Sequence, residues 1–433
     1  MTTTWTDNRA ETELLTDRSE LRRQIEEVIN TTPAIDVHTH VFPPEFGRMF
    51  RFGIDELLTY HYLIAETFRS ADVSYEQFWR MTKAQQADLV WESLFVKNTP
   101  LSEAARGIIS VLEAFGLDPR SPDLTEARAF FREQNHAQHV DRVLDMACLR
   151  DIVMTNDPFD HEEAELWNDG ARPDRRFHAS LRLDGLLNEW QDAAQKLACR
   201  DIDIDAGLSR STFAKVRNFL DSWIDRMDPV YMAVSLPDDF KFPDTGPRDR
   251  LIRDVVLPTA REHNLAFVLM IGVRRGVNPA LRAAGDGVGW ADLSALERMC
   301  DENPDVRFLA TVLSRENQHE LCVSARKFSN LMPFGCWWFL NNPSLASEIT
   351  HQRLELLGPS FIPQHSDARV LEHLIYKWRH WRPVFTEALY EAYARLLASG
   401  RAVSRQEIIR DVDRMCSANF RDWVGLPASA DHE

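Results

Sequence analysis

The feature that most constrains this chain is an alternation of short apolar runs with longer stretches of helical periodicity. Runs at 34–37, 148–154, 177–183, 229–236, 265–271, 306–312, 331–335 and 360–364 have the length and side-chain character of buried strands. Segments 186–198, 209–227, 248–263, 291–303, 315–328 and 344–357 read as helices and fill most of the gaps. Eight strands joined by helices predict an α/β fold, a (β/α)8 TIM-type barrel. One connection is far longer than a crossover needs. Residues 54–145 carry apolar positions three and four apart, and are read as a helical insertion after strand one that forms a lid or wall above it. The expected organisation is 1–30 as a tail and a helix from about 11 to 30, and 31–53 as the first strand and its loop. The insertion covers 54–145, the rest of the barrel 146–370, and C-terminal helices 371–433.

In a barrel of this kind catalytic groups sit at the C-terminal ends of strands. Strand one ends in Asp36-Val-His-Thr-His40 before a Pro43-Pro44 stop. Residues two apart on a strand point the same way, so His38 and His40 can reach one metal ion. Strand eight ends in Gln364-His-Ser-Asp-Ala-Arg369, and in a closed barrel it neighbours strand one. Asp367 would complete a two-histidine, one-carboxylate set suited to zinc, manganese or ferrous iron. Read alone, Asp367 is better taken as a cap for the next helix; with the eight strands counted, the metal cluster is the better reading.

Other strand ends leave alternatives open. Arg182 can clamp a carboxylate bidentately or form a loop salt bridge. Trp337, Trp338 and Phe339 can wall a pocket or belong to outer core. His61 and Tyr62 can serve proton transfer, although a partly buried amphipathic pair is the plainer account. His136 and His139, three apart in a charged helix, are expected at the surface.

Charge narrows the partners. The formal net charge of −17 argues against a nucleic-acid surface or an anionic membrane. It does not exclude an anionic substrate, because arginines within a cleft can outweigh the global field. No run approaches the ~18 apolar residues of a membrane-spanning helix, and no signal-peptide apolar region opens the chain. The six cysteines, at 148, 199, 300, 322, 336 and 416, form no C-x-x-C pair. They are read as buried thiols in a reducing cytoplasm.

Taken together, Asp36-Val-His-Thr-His40, His61-Tyr62, Gly335-Cys-Trp-Trp-Phe339 and Ser366-Asp-Ala-Arg369 resemble the uronate isomerases of the amidohydrolase superfamily. Thr155-Asn-Asp-Pro158 and Arg172-Pro-Asp174 resemble segments after that family's second strand. The resemblance runs from about residue 20 to 425, in the same order. It implies isomerisation of D-glucuronate to D-fructuronate and of D-galacturonate to D-tagaturonate. By the same resemblance His38, His40 and Asp367 would bind one divalent metal, zinc first, with manganese or iron as alternatives. Arg182 would hold the sugar carboxylate. His61, Tyr62 and Arg369 would lie around the reacting carbonyl and hydroxyl, and Trp337 and Trp338 would line the pocket. The chemistry of such an isomerisation needs a carboxylate or phenolate to shuttle the proton between adjacent carbons, with Asp367 the preferred shuttle and Tyr62 the alternative. A homo-oligomer is expected.

Two strand ends depart from the family pattern. Met270 stands where many relatives carry a histidine, and Val234-Ser-Leu-Pro237 stands where an Asp-His pair is common. These changes rule against a binuclear hydrolase site. A metal-dependent hydrolase or lyase acting on another small carboxylic acid is the alternative enzyme reading, because such folds change chemistry through their loops. A non-catalytic subunit is the third reading, against which the joint presence of His38, His40, His61, Asp367 and Arg369 counts.

Overall fold

The first strand, Ala34–Asp36, is buried along its whole length. It runs parallel to Leu149–Val153, with Asp36 opposite Ile152, and Phe177–His178 continues the set beyond. A second parallel set runs in space from Leu181–Arg182 through Tyr231–Pro237, Ala266–Arg274 and Phe308–Val312 to Leu331–Pro333. The computed structural model describes residues 14–427 apart from 203 and 206. The expected tail and the first residues of the helix expected from 11 lie outside that range. The fold is mixed α/β on parallel strands. Ala266–Arg274 shows why its sequence reads as an unbroken apolar run: every residue but Arg274 is buried, as a strand covered on both faces requires.

Two expected strands are cut short, each for a local reason. The run expected at 177–183 breaks after His178, because the Asn156 side chain takes the Ser180 N–H (3.2 Å). Pairing resumes at Leu181, opposite Asn156. The run expected at 360–364 makes one parallel bridge, Ile362 to Phe334. Ile362 donates to the Pro333 carbonyl and accepts from Gly335 N–H, but Pro363 has no N–H with which to extend the ladder.

The first helix begins at Arg18 rather than 11. Asp17 caps it by accepting from the Ser19 and Glu20 N–H groups, and Leu14–Leu15 before it pairs antiparallel with Val403–Ser404. Leu21, Ile25, Val28 and Ile29 form its buried stripe, packed on the long helix His373–Ala398. The segment expected as one helix over 248–263 contains a wide turn, Ile252–Val256, just before Pro258. Widening the ladder there accommodates a residue that cannot donate to it.

The insertion is helical from Ile54–Leu58 to His136–Ala147. The surface expectation fits His136 and fails for His139, which is buried. His139 Nε2 lies 2.6 Å from Glu372 Oε1 with both side chains fully buried, and Glu372 also accepts from Gly53 N–H at 3.1 Å. The partner is 233 residues away in sequence, so local periodicity does not reveal it. All six cysteines are free; four are buried, but Cys199 at a helix end is exposed and Cys148 is half-buried. No helix among the described residues is long and apolar enough to cross a membrane.

Removing one partner of a buried pair leaves the other uncompensated. His139→Leu is therefore expected to destabilise the chain by about 3 kcal/mol, read from the denaturant midpoint, with bound metal unchanged in the folded fraction.

Candidate active site

Asp36 organises the region where the first strand ends. Its fully buried carboxylate accepts from the Ser366 N–H (3.0 Å) and from Trp378 Nε1 (2.9 Å). Burial pushes this carboxyl up to about 6, against the pull of those donors. Backbone bonds continue the seam: Asp367 N donates to the His38 carbonyl (3.2 Å) and His40 N to the Ala368 carbonyl (2.7 Å). The sequence pairing of strand one with the 364–369 segment is thereby realised.

The seam brings three ligand-bearing side chains together. Asp367 Oδ1 lies 3.6 Å from His38 Nε2 and 3.4 Å from His40 Nε2. One ligand atom from each lies within 4.8 Å of the others, and no other such group of three occurs among the described residues. Burial drives the His38 imidazole down to about 3, opposed by the Asp367 charge. His40 is held well below its ordinary value, again mainly by burial, with Arg369 and Arg182 adding to it. Neutral imidazole is the form that ligates a metal.

Tyr231, which sequence reasoning missed, settles the tautomer of His38. Its hydroxyl donates to the Val37 carbonyl (2.8 Å), so its oxygen is left to accept from His38 Nδ1 at 3.4 Å. The proton then sits on Nδ1, and the Nε2 lone pair faces Asp367. Two nitrogens and a carboxylate suit one divalent ion with positions left for substrate. Met270 lines the same cavity and offers only a thioether, so the set stays at three.

The cavity above this cluster is narrow, about 50 Å³. Arg182 and Arg369 line it, facing Trp337 and Trp338. Arg182 is oriented by its backbone N–H to the Asn156 carbonyl (2.8 Å) and by its Nη2 to Asp184 Oδ1 (3.1 Å). Burial opposes its charge, but Asp184, Asp157 and Glu163 outweigh that and hold it protonated. Glu163 braces the loop behind it, accepting from Asn156 Nδ2 (2.6 Å) and Asp157 N–H (2.9 Å). Of the two segments expected after strand two, 155–158 contributes Thr155 to the cavity wall, whereas Asp174 is engaged with Arg176 instead.

His61 and Tyr62 stand against the aromatic wall. His61 meets Trp338 edge-on at 5.5 Å between ring centres, and Tyr62 meets Phe339 at 6.2 Å. Burial, then Arg369, keeps His61 far below its ordinary value, hence neutral. Burial raises the Tyr62 phenol, and neighbouring Tyr60 and Asp367 raise it further. Strain accompanies this wall: Trp338 and Asp367 both hold left-handed backbone, φ 48° and 52°, which costs of order 1 kcal/mol or more each. Gly335, at φ 60°, is required by contact as well as conformation, since a Cβ there would fall 1.7 Å from His365 Nδ1.

His38→Ala is expected to abolish stable binding of a divalent metal. Tyr231→Phe, which removes only the tautomer-fixing hydroxyl, should weaken it by about 10-fold. Metal titration of the apo-protein, read by equilibrium dialysis and elemental analysis, checks both.

No family model and no curated protein matches this chain. Among solved structures, a uronate isomerase from Bacillus halodurans C-125 is 51% identical, with a TM-score of 0.93 over 95% of this chain and 97% of that one. Two more distant structures share the fold. A uronate isomerase from Thermotoga maritima has TM-score 0.75 at 13% identity, covering 95% of this chain and 100% of that one. A glucuronate isomerase from Caulobacter crescentus has TM-score 0.75 at 15% identity, covering 99% and 98%. With half of its residues identical across nearly the whole of both chains, and with the three-ligand cluster in place, this chain belongs to the uronate isomerase family.

Proposed function

We propose that this enzyme interconverts hexuronates and their 2-keto isomers, D-glucuronate with D-fructuronate and D-galacturonate with D-tagaturonate. The observation that carries the reading is the 51% identity with a uronate isomerase along almost the full chain. The site chemistry supports it: a two-histidine, one-carboxylate cluster shares a cavity with Arg182 and Arg369. We also infer that the parallel strands close as a (β/α)8 barrel. The Asn156–Leu181 and Phe334–Ile362 bridges and the Asp367-to-His38 backbone bond support that closure. The alternative of a hydrolase or lyase is not favoured by any feature of the site.

The reaction moves a proton from C2 to C1 through a cis-enediol, and the hydroxyl proton from O2 to O1. Arg182 binds the C6 carboxylate and fixes which end of the open-chain sugar lies over the cluster. Asp367 takes the C2 proton and returns it to C1, a carboxylate being able to serve both adjacent carbons from one position. Arg369 and Tyr62 donate hydrogen bonds to the oxygens on which negative charge develops. Neutral His61 is a hydrogen-bond partner beside them. Trp337 and Trp338 close the cavity against bulk water, which strengthens those interactions. A divalent ion at His38, His40 and Asp367, zinc by preference with manganese or iron as alternatives, supplies Lewis-acid stabilisation of oxygen charge when bound.

Proton NMR of each uronate with the enzyme and added zinc or manganese in deuterated water tests this directly. Ketouronate with partial deuterium at the transferred position is the expected result. No conversion of either sugar with any metal overturns the reading. Arg182→Ala is expected to raise KM for the uronate by at least about 10-fold, with a smaller change in kcat; an unchanged KM removes Arg182 from the carboxylate end.

A further inference from the structure

Lys377, on the long helix His373–Ala398, has no part in the chemistry above and is only 4% exposed. It reaches three other parts of the chain. Its Nζ lies 3.3 Å from both oxygens of Glu103, which opens the insertion helix Glu103–Phe115. It donates to the Asn341 carbonyl (3.3 Å), just beyond the turn Trp338–Leu340. It also stands over the ring of Tyr62, 5.6 Å from its centre, with the Tyr376 ring of its own helix at 4.9 Å. A desolvated ammonium at that range is attracted to the face of a phenol ring.

Stability alone is a poor reason for such a group. Replacing a buried ion pair by apolar side chains of similar size is often neutral or stabilising; what the charges add is a defined register between the elements that carry them. The pair is held from both sides. Burial works against the Glu103 charge, but Lys377 and then His380 outweigh it and keep the carboxyl below its ordinary value. His380 Nδ1 lies 3.5 Å from Glu103, and its Nε2 lies 3.0 Å from the Ser110 hydroxyl. The two helices meet at a set distance, because a Cβ on Gly107 would fall 2.7 Å from the Tyr376 ring. The Asn341 contact carries the position onward. Its Nδ2 donates to the His365 carbonyl (2.9 Å), and its Oδ1 accepts from Gln364 Nε2 (3.2 Å). His365 is two residues before Asp367, on the segment sealed to the first strand.

We propose that Lys377 is a positioning residue, setting where the Tyr62 phenol stands relative to the Asp367 carboxylate. It holds the ring of the one directly and, through Asn341, the segment that carries the other. The inference rests on the isomerase reading for what the two groups are placed against: the oxygens of the enediol and the carbon that loses its proton. Tyr62 belongs to the insertion and Asp367 to the far end of the strand set, so neither segment alone fixes the gap between them. A displacement of about 1 Å is enough to cost on the order of 100-fold in rate. Lys377 is not among the residues that line the cavity, and it acts on the reaction only through the groups it holds.

Lys377→Met alone would strand the Glu103 charge, so the test variant is Lys377→Met/Glu103→Gln, which removes both charges together. It is assayed as the metal-loaded full chain with the faster of the two uronates. It should lose at least about 10-fold in kcat, with KM within about 2-fold of wild type. In a Tyr62→Phe background the same two changes should cost no more than about 2-fold, since the hydroxyl they place is already gone. Equal losses in the two backgrounds overturn the proposal, as does an unchanged kcat or a loss confined to KM. A second readout does not depend on turnover. With 3-fluorotyrosine at the seven tyrosines, the Tyr62 fluorine line is the one missing from Tyr62→Phe. It should shift in the double variant, and a line at its wild-type position overturns the proposal. Glu103→Gln keeps the cation and loosens only its anchor, so it serves if the double variant does not fold. It should show the same changes at smaller size; wild-type kcat and a wild-type fluorine spectrum in that variant overturn the proposal too. If the wild type converts neither uronate, the isomerase reading fails, and the fluorine line alone decides whether Lys377 places Tyr62.

Discussion

A single buried carboxylate holds the active end of this molecule together. Asp36 interrupts an apolar strand, and leaving its oxygens unpaired there would cost several kcal/mol. Two donors from distant parts of the chain remove that cost: the Ser366 N–H and the Trp378 indole. The consequence is geometric. The strand that releases His38 and His40, the segment that carries Asp367, and the long C-terminal helix are all referenced to one side chain. The metal cluster inherits its spacing from that arrangement, which the backbone bonds at Asp367 and His40 then extend.

The electrostatics of the cavity reconcile two demands that conflict in water. A metal needs neutral imidazoles, while an anionic substrate needs fixed positive charge nearby. Arg182 and Arg369 serve both, because the same positive field that attracts an acid also disfavours protonation of His38 and His40. Burial does most of that work and the arginines add to it. The net charge of the whole chain, −17, is irrelevant at this range, since charges beyond about 10 Å are largely screened at ordinary ionic strength.

What could be read in the sequence divides along physical lines. The strand positions were legible because burial on both faces enforces apolar runs, as in Ala266–Arg274. His38, His40 and Asp367 were legible because a topology of parallel strands fixes which ends are neighbours. Boundaries were less so: Asp17 sets the start of the first helix, and Asn156 breaks a strand by competing for one N–H, choices no periodicity records. Long-range partners were illegible altogether. His139 has the spacing of a surface residue and is buried because Glu372 and the rings of Phe52, Phe115 and Phe131 close around it. Tyr231 has no motif around it, and its role exists only beside His38. Asp184 is the intermediate case, since its position two residues after Arg182 was in plain view, but nothing local distinguishes it from an exposed loop acid.

The seam at Asp36 has a bearing on how the protein is made. Its two halves, Asp36 and Ser366, are 330 residues apart in the chain, and the chain's beginning is further secured by the pairing of Leu14–Leu15 with Val403–Ser404. During synthesis the first strand and its two histidines leave the ribosome long before the segment that completes their ligand set. The earlier strands and the helical insertion have to hold their shape with that edge unsealed. Under the proposed metal assignment, capture of the ion marks completed assembly, and a chain that stops short of residue 367 carries most of the scaffold but lacks the third ligand.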